Sequence, residues 1–413
     1  MACGPADGGA AGGGEASEAA ADAVEEGSAD PTVVLPGIDV LIRDSLHLVA
    51  GRRVGLITNR SGVARDGRSS IDVLHGHADV ELAALFAPEH GIRGTAAEGQ
   101  RLDDSVDEGT GIPIHSLYGE TFAPTPAMLA GIDLLLFDLQ DIGARYYTWV
   151  STMAYAMRAA GENGVPFVVL DRPNPIGGAV NGPVLDPEFA TFVGLYPVPV
   201  RHGMTVGELA RLYSGEFGID VDLTVVPVRG WTRDSWFDET GLPWIAPSLN
   251  MPTLESAAHY PGTCLFEGTG LSVGRGTPNA FQQIGAPWLD GDSLARRISS
   301  YELPGVSVEA VRFTPESPSD GKWGGEAVDG VRLTVTDRAT YNPVRTGVAL
   351  LLESRRLADD SWEWNEPHFD RLAGSDTLRL AIEAGRSLDE ITAAWEADLQ
   401  SFRELREPYI LYR

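Results

Sequence analysis

Four short and almost wholly apolar runs organise the first half of this chain, at residues 54–57, 82–86, 134–137 and 166–170. Polar residues do not alternate within them, so each reads as a strand buried on both faces, as in a parallel sheet. Amphipathic stretches at 70–75 and 149–163 lie between them. Strands alternating with helices predict βαβ units and a doubly wound α/β sheet. Farther along, residues 196–200 run into Arg201-His202-Gly203, and Thr205 with Glu208 three positions later spells the capping box of a helix through Tyr213. Residues 221–228 read as another strand. A segment rich in Pro, Ser and Asn, 244–252, marks a boundary. Beyond it a smaller α/β unit is expected, with a strand at 330–335 and helices near 344–356 and 388–403. The predicted division is a tether at 1–31, a catalytic α/β domain at 32–256 and a C-terminal α/β domain at 257–413.

The residues just past each strand carry the chemistry. The first strand runs into Thr58-Asn59-Arg60, the second into Pro88-Glu89-His90, the third into Asp138-Leu139-Gln140-Asp141 and the fourth into Asp171-Arg172-Pro173-Asn174. In an open parallel sheet the carboxyl ends of the strands share one edge, where ligands bind. A single acidic residue after a strand is usually a helix N-cap. Four polar clusters on one rim point instead to a site.

Composition narrows what that site handles. The chain has 413 residues, 43% of them hydrophobic, which is ordinary for a globular protein with real cores. No apolar run reaches the roughly 18 to 20 residues that span a bilayer. The net charge of −28 disfavours nucleic acid as a partner. Lys322 is the only lysine, so any other cation at the site is an arginine, whose planar fork suits carboxylates. The two cysteines, Cys3 and Cys264, are too few for a disulfide framework. Cys3 follows Met1-Ala2 and precedes a Gly/Ala/Glu-rich stretch without aromatics, the order seen just after the processing site of a bacterial lipoprotein. This predicts a lipid anchor at Cys3 and an extracytoplasmic location.

Several chemistries are disfavoured. No G-x-G-x-x-G lies in a strand-to-helix turn and there is no phosphate-binding G-x-x-x-x-G-K-[ST], so no dinucleotide or other cofactor is expected. A G-x-S-x-G nucleophile elbow is missing. His90, His202 and His259 stand apart without zinc spacing, and no metal is expected. Carboxylate chemistry remains. Glycoside cleavage uses one carboxylic acid to protonate the leaving oxygen and a second group as nucleophile or base. Glu89, after an apolar strand and Pro88, sits in a partly desolvated setting that suits a proton donor. Asp138, Asp141, Asp171 and Glu267 are candidates for its partner, and a substrate acetamido group could serve instead. Tyr146, Tyr147 and Trp149 could stack on a sugar ring, while Arg145, Arg172, Arg201 and Arg275 could fork onto a sugar carboxylate.

These motifs, together with Phe86-Ala87-Pro88-Glu89-His90-Gly91-Ile92-Arg93-Gly94, Phe137-Asp138-Leu139-Gln140-Asp141-Ile142-Gly143-Ala144-Arg145-Tyr146-Tyr147-Thr148, Asp171-Arg172-Pro173-Asn174-Pro175, Pro247-Ser248-Leu249-Asn250-Met251-Pro252 and the glycine-rich stretch 267–276, resemble the exo-β-N-acetylmuramidase (NamZ-type) glycoside hydrolase family. The resemblance covers roughly residues 37 to 413. It implies a Rossmann-like N-terminal domain, a smaller C-terminal domain and a cleft between them. It implies release of N-acetylmuramic acid from the non-reducing end of peptidoglycan fragments, with Glu89 as the leading catalytic residue. Asn59, His90, Gln140, Arg145, Tyr147, Asp171, Arg172, Asn174, Arg201, His202, Asn250, Glu267 and Arg275 are the expected substrate-binding positions, and Arg275 or Arg145 the clamp on the lactyl carboxylate. The chain departs from the family pattern at Gly270, where asparagine is expected. Two other readings stay open on the residues: a non-catalytic muropeptide-binding lipoprotein, and a glycosidase for another N-acetylated amino sugar.

Overall fold

Successive residues of the central strands point to opposite faces of one sheet, and both faces are covered. In the computed structural model, which describes residues 33–93 and 99–413, seven strands form this sheet. They are β1 (Arg53–Thr58), β2 (Glu81–Ala87), β3 (Ser105–Val106), β4 (Pro113–Ser116), β5 (Leu134–Asp138), β6 (Phe167–Leu170) and β7 (Leu223–Val226), in the order β3-β4-β2-β1-β5-β6-β7. Only the short edge strand β3 is antiparallel to its neighbour. The parallel strands thus follow the 3-2-1-4-5-6 order of doubly wound sheets, with the reversal between β1 and β5.

The period of two sorts the core. Leu56, Leu85, Leu136 and Val168 pack with α1 (Gly37–Asp44) and α2 (Ser70–His75) on one face. Ile57, Phe86, Phe137 and Phe167 pack with α3 (Trp149–Glu162) and α4 (Val206–Glu216) on the other. Each such side chain, fully buried, stabilises the fold by about 1.5–3 kcal/mol. The capping box predicted at Thr205 and Glu208 starts α4. Residues 199–201 are a strand, paired not with the main sheet but with Asn181–Val184 in a two-stranded ribbon.

The second half is built on an antiparallel sheet, with β8 (Gln283–Ala286) and β9 (Val306–Phe313) flanking β10 (Val328–Val335). Only β10 is evident in the apolar pattern, because β9 is largely exposed and carries no continuous apolar run. Helices α5 (Leu254–Thr263), α6 (Gly291–Ser299) and α7 (Pro343–Leu357) belong to this half. Gly262 and Gly347 let α5 and α7 cross at backbone contact. A Cβ on Gly262 would lie 2.0 Å from the Pro343 carbonyl oxygen, and one on Gly347 would lie 2.6 Å from that of Gly262. The single helix expected at 388–403 is two, Leu388–Ala393 and Glu396–Arg406. The chain tightens at Ala394-Trp395, where the Trp395 amide reaches back to Thr392 and the indole turns into the core. No helix among the described residues is long and apolar enough to cross a membrane. Cys3 and the tether expected at 1–31 lie outside the described residues.

Candidate active site

At the reversal point of the sheet the strand-end residues hold one another. Asp138 pairs with Thr58 in the β1–β5 register and is fully buried. Its carboxylate accepts from Arg172 Nε at 2.6 Å and Nη2 at 2.9 Å, and from the Ser70 hydroxyl. Arg172 also donates to the Val63 carbonyl. Asn59 Oδ1 accepts from the amide and hydroxyl of Ser61, and Gln140 Nε2 donates to the carbonyls of Asp141 and Pro173. Asn174 bridges the Met204 carbonyl and the Ile176 amide. Asp171 accepts from the Thr205 and Tyr412 hydroxyls and the Gly207 amide; burial pushes its carboxyl up to about 6 against those three hydrogen bonds.

Arg145 and Arg201 are likewise committed. Arg145 donates to the carbonyls of Pro183, Val198 and Leu372, so it ties the two halves together. Arg201 donates to those of Ile176 and Tyr341. Burial lowers each guanidinium to about 10. His202 Nε2 stands 3.7 Å from Asp141 Oδ2, which accepts from the Gly143 amide. Asp141 Oδ1 and His202 Nε2 are buried without a hydrogen-bond partner among the described residues. None of these strand-end groups lines the cavity into which Glu89 points.

That cavity, of about 170 Å³, opens one strand over, at the end of β2. Pro88 to Gly91 form a turn closed by the Gly91 amide on the Pro88 carbonyl. His90 has φ 71° at the third position, where a type II turn requires a left-handed residue. The turn sends the Glu89 carboxyl into the cavity, only 7% exposed. Its Oε2 accepts from the Thr148 hydroxyl at 2.7 Å and its Oε1 from the Gly99 amide at 3.0 Å. No cation among the described residues pairs with it. A hydroxyl accepts as readily as it donates, so Oε2 can carry a proton without losing Thr148.

The far wall comes from the C-terminal half. Glu267 Oε1 accepts from Arg275 Nε at 3.0 Å and from Nη2, and the Arg275 guanidinium lies 5.1 Å from the centre of the Phe281 ring. Burial raises the Glu267 carboxyl, but Arg275, Lys322 and His368 outweigh it and hold it below its ordinary value. Tyr147 meets Trp149 and Tyr260 edge to face, and Tyr260 meets Phe281 in the same way. Burial keeps the Tyr147 phenol protonated by raising it well above its ordinary value. Tyr146 donates at 2.7 Å to the Pro261 carbonyl and lashes this wall to the sheet.

Of the predicted residues, Glu89, His90, Tyr147, Asn250, Glu267 and Arg275 therefore meet at one cavity. Asn59, Asp138, Gln140, Asp141, Arg145, Asp171, Arg172, Asn174, Arg201 and His202 surround its supports without lining it. Sequence reasoning missed Thr148, Ser248 and His368, all in the cavity wall. Thr148 closes the Tyr-Tyr-Thr motif and Ser248 stands in the Pro-Ser-Leu-Asn motif, so both had a signal; His368 had none. Burial holds His368 below the usual histidine range, against the opposing pull of Glu267. A side chain at Gly270 would find Glu363 only at ordinary contact distance, so the departure from the family pattern leaves room rather than relieving a clash. No group of three or more His, Cys, Asp or Glu among the described residues is arranged to hold a metal.

Comparison with known proteins places this geometry. The family model of the exo-β-N-acetylmuramidase NamZ N-terminal domain matches residues 54–255, and that of the C-terminal domain matches residues 258–412. The peptidoglycan β-N-acetylmuramidase NamZ of Bacillus subtilis (strain 168) is 48% identical over 381 residues, covering 92% of this chain and 91% of its own length. A DUF1343 family protein from Bacteroides fragilis NCTC 9343 superposes with a TM-score of 0.86 at 35% identity, over 92% of this chain and all of its own. A second protein of that family and organism gives 0.76 at 32% identity, over 92% and 99%. With both halves matched in order and the cavity between them lined by the family motifs, the chain belongs to the exo-β-N-acetylmuramidase NamZ family of glycoside hydrolases.

Proposed function

We propose that this enzyme releases N-acetylmuramic acid from the non-reducing end of peptidoglycan fragments, with Glu89 as the general acid, in cell-wall turnover or recycling. The observation that carries the reading is the Glu89 carboxyl, buried at the wall of the cavity and met there, among the described residues, by a hydroxyl and an amide rather than by a cation. A proton held at Oε2 can pass to the glycosidic oxygen as the bond to the anomeric carbon breaks.

Among the carboxylates weighed as partner to Glu89, only Glu267 lines the cavity, and Arg275 neutralises it. This favours the substrate acetamido group as the nucleophile and gives the Glu267–Arg275 pair a binding role. Arg275 is also the only one of the four candidate arginines in the cavity wall, which makes it the clamp for the lactyl carboxylate. Hydrolysis of 4-nitrophenyl β-N-acetylmuramide, with the matching glucosaminide as control, tests the reading. Turnover of the muramide with little of the glucosaminide is expected, and NMR of the first-formed anomer reads the stereochemistry. Equal use of both substrates would overturn the muramic assignment.

A location outside the cytoplasmic membrane, with a lipid anchor at Cys3, is part of the same proposal. Its support is the Met-Ala-Cys-Gly order and the acidic Gly/Ala-rich run after it. Fatty-acid labelling that persisted in Cys3→Ser would remove the anchor.

A further inference from the structure

In a chain whose other side-chain cations are all arginine or histidine, the single lysine stands beneath the cavity wall. Lys322 Nζ donates to the carbonyls of Phe266 and Glu267 at 3.1 Å and of Leu271 at 3.2 Å. The first two belong to the 3-10 turn Cys264–Gly268 that prolongs α5. The last carbonyls of a helix lack partners within it and form the negative end of its dipole, so a cation there is favourable.

The connection between β9 and β10 that carries Lys322 touches the same wall twice more. The Ser319 hydroxyl accepts from Asn250 Nδ2 at 3.2 Å and from Arg275 Nη1 at 3.4 Å, and Trp323 Nε1 donates to the Gly270 carbonyl at 2.8 Å. Ser317 and Trp323 are non-glycine residues held at φ 47° and 56°. Such conformations persist where surrounding contacts over-determine them.

Chemistry explains why this position is not arginine. Three carbonyls converge on one nitrogen, and an ammonium offers three N–H bonds at tetrahedral angles from that point. A guanidinium spreads its donors in a plane over three nitrogens, none with more than two N–H, so no one of its nitrogens gives a separate N–H to each of the three carbonyls. We propose that Lys322 is a positioning residue for the cavity: its ammonium gathers three carbonyls of the 266–271 segment and so sets where Glu267 and Arg275 stand toward the sugar. The proposal rests on the reading of the cavity as the muramic acid site.

Kinetics and binding of Lys322→Arg and Lys322→Met against the wild type provide the test. Both variants are expected to raise KM for the chromogenic muramide about tenfold and weaken calorimetric binding of N-acetylmuramic acid to match, with kcat within about threefold. Arginine should rescue no better than methionine. Wild-type KM in Lys322→Arg would mean that charge alone suffices, and a lower melting temperature with KM and affinity unchanged would mean a purely structural role; either result overturns the proposal. Should the Lys322 variants fail to fold, Ser319→Ala removes two contacts of the same connection and Trp323→Phe removes one. Smaller rises in KM are expected, and none in both would sink the idea. The Arg275 Nε–H NMR resonance, assigned by its loss in Arg275→Lys, reads the wall without substrate. A shift in Lys322→Arg or Ser319→Ala supports positioning and a fixed resonance opposes it, even if the wild type proves inactive on muramides and the functional reading fails.

Discussion

Asp138 and Glu89 are both carboxylates at the ends of parallel strands, and the molecule uses them in opposite ways. Asp138 stands at the reversal between β1 and β5, where open α/β sheets ordinarily receive their ligand. Here Arg172 fills that place with a two-point ion pair, backed by the Ser70 hydroxyl. Glu89 stands one strand away and among the described residues meets only neutral donors, with the second half of the chain as the facing wall. A strand-end carboxylate that has its own buried cation supports the fold; one that lacks a cation and faces a cavity is available for chemistry.

The sharpest way to break this contrast is Glu89→Gln. It should lower kcat by about 10²–10⁴-fold, the usual worth of a general acid, and leave the unfolding midpoint unchanged. A binding protein would show no turnover in either form and keep its affinity in both, and that outcome would return the molecule to the non-catalytic reading. Arg172→Met should do the reverse. It leaves Asp138 buried without its cation, which costs about 3–5 kcal/mol, measured by urea unfolding, with turnover per folded molecule changing much less. Loss of turnover at full stability would place the reversal point in the catalytic machinery. The smallest effect concerns Asp171. Burial raises its carboxyl to about 6, so its contribution to stability is fully present below the ordinary carboxyl value near 3.8 and is lost as the pH rises through 6. Asp171→Asn should flatten that slope in unfolding midpoints between pH 4 and 7; an unchanged slope would assign the window to another group.

The apolar runs that predicted the strands correspond to β1, β2, β5 and β6 within a residue or two, and the strand-end clusters do share a rim. The sheet could be read because both-sided burial leaves an uninterrupted apolar run. The capping box of α4 could be read because its bonds close within one turn. The second half was harder. Strand β9 is half exposed, and the interruption at Ala394-Trp395 depends on what lies beneath Trp395.

Which polar groups face the cavity was not legible, because each answer turns on a partner far along the chain. Asp138 meets Arg172 only because β5 lies beside β6. Arg145, a reasonable clamp for a sugar acid, instead reaches the Leu372 carbonyl, 227 positions away. His368, on the helix Glu366–Ala373, and Lys322, in a turn beneath the wall, come from segments with no motif of their own. By itself, then, the sequence determined the parallel sheet, the rim, and Glu89 as a strand-end acid in an apolar setting, since burial periodicity and local turns are written in neighbouring residues. The tertiary structure alone decided which carboxylates are neutralised and which remain open to a substrate, since desolvation and charge pairing depend on groups that only folding brings together.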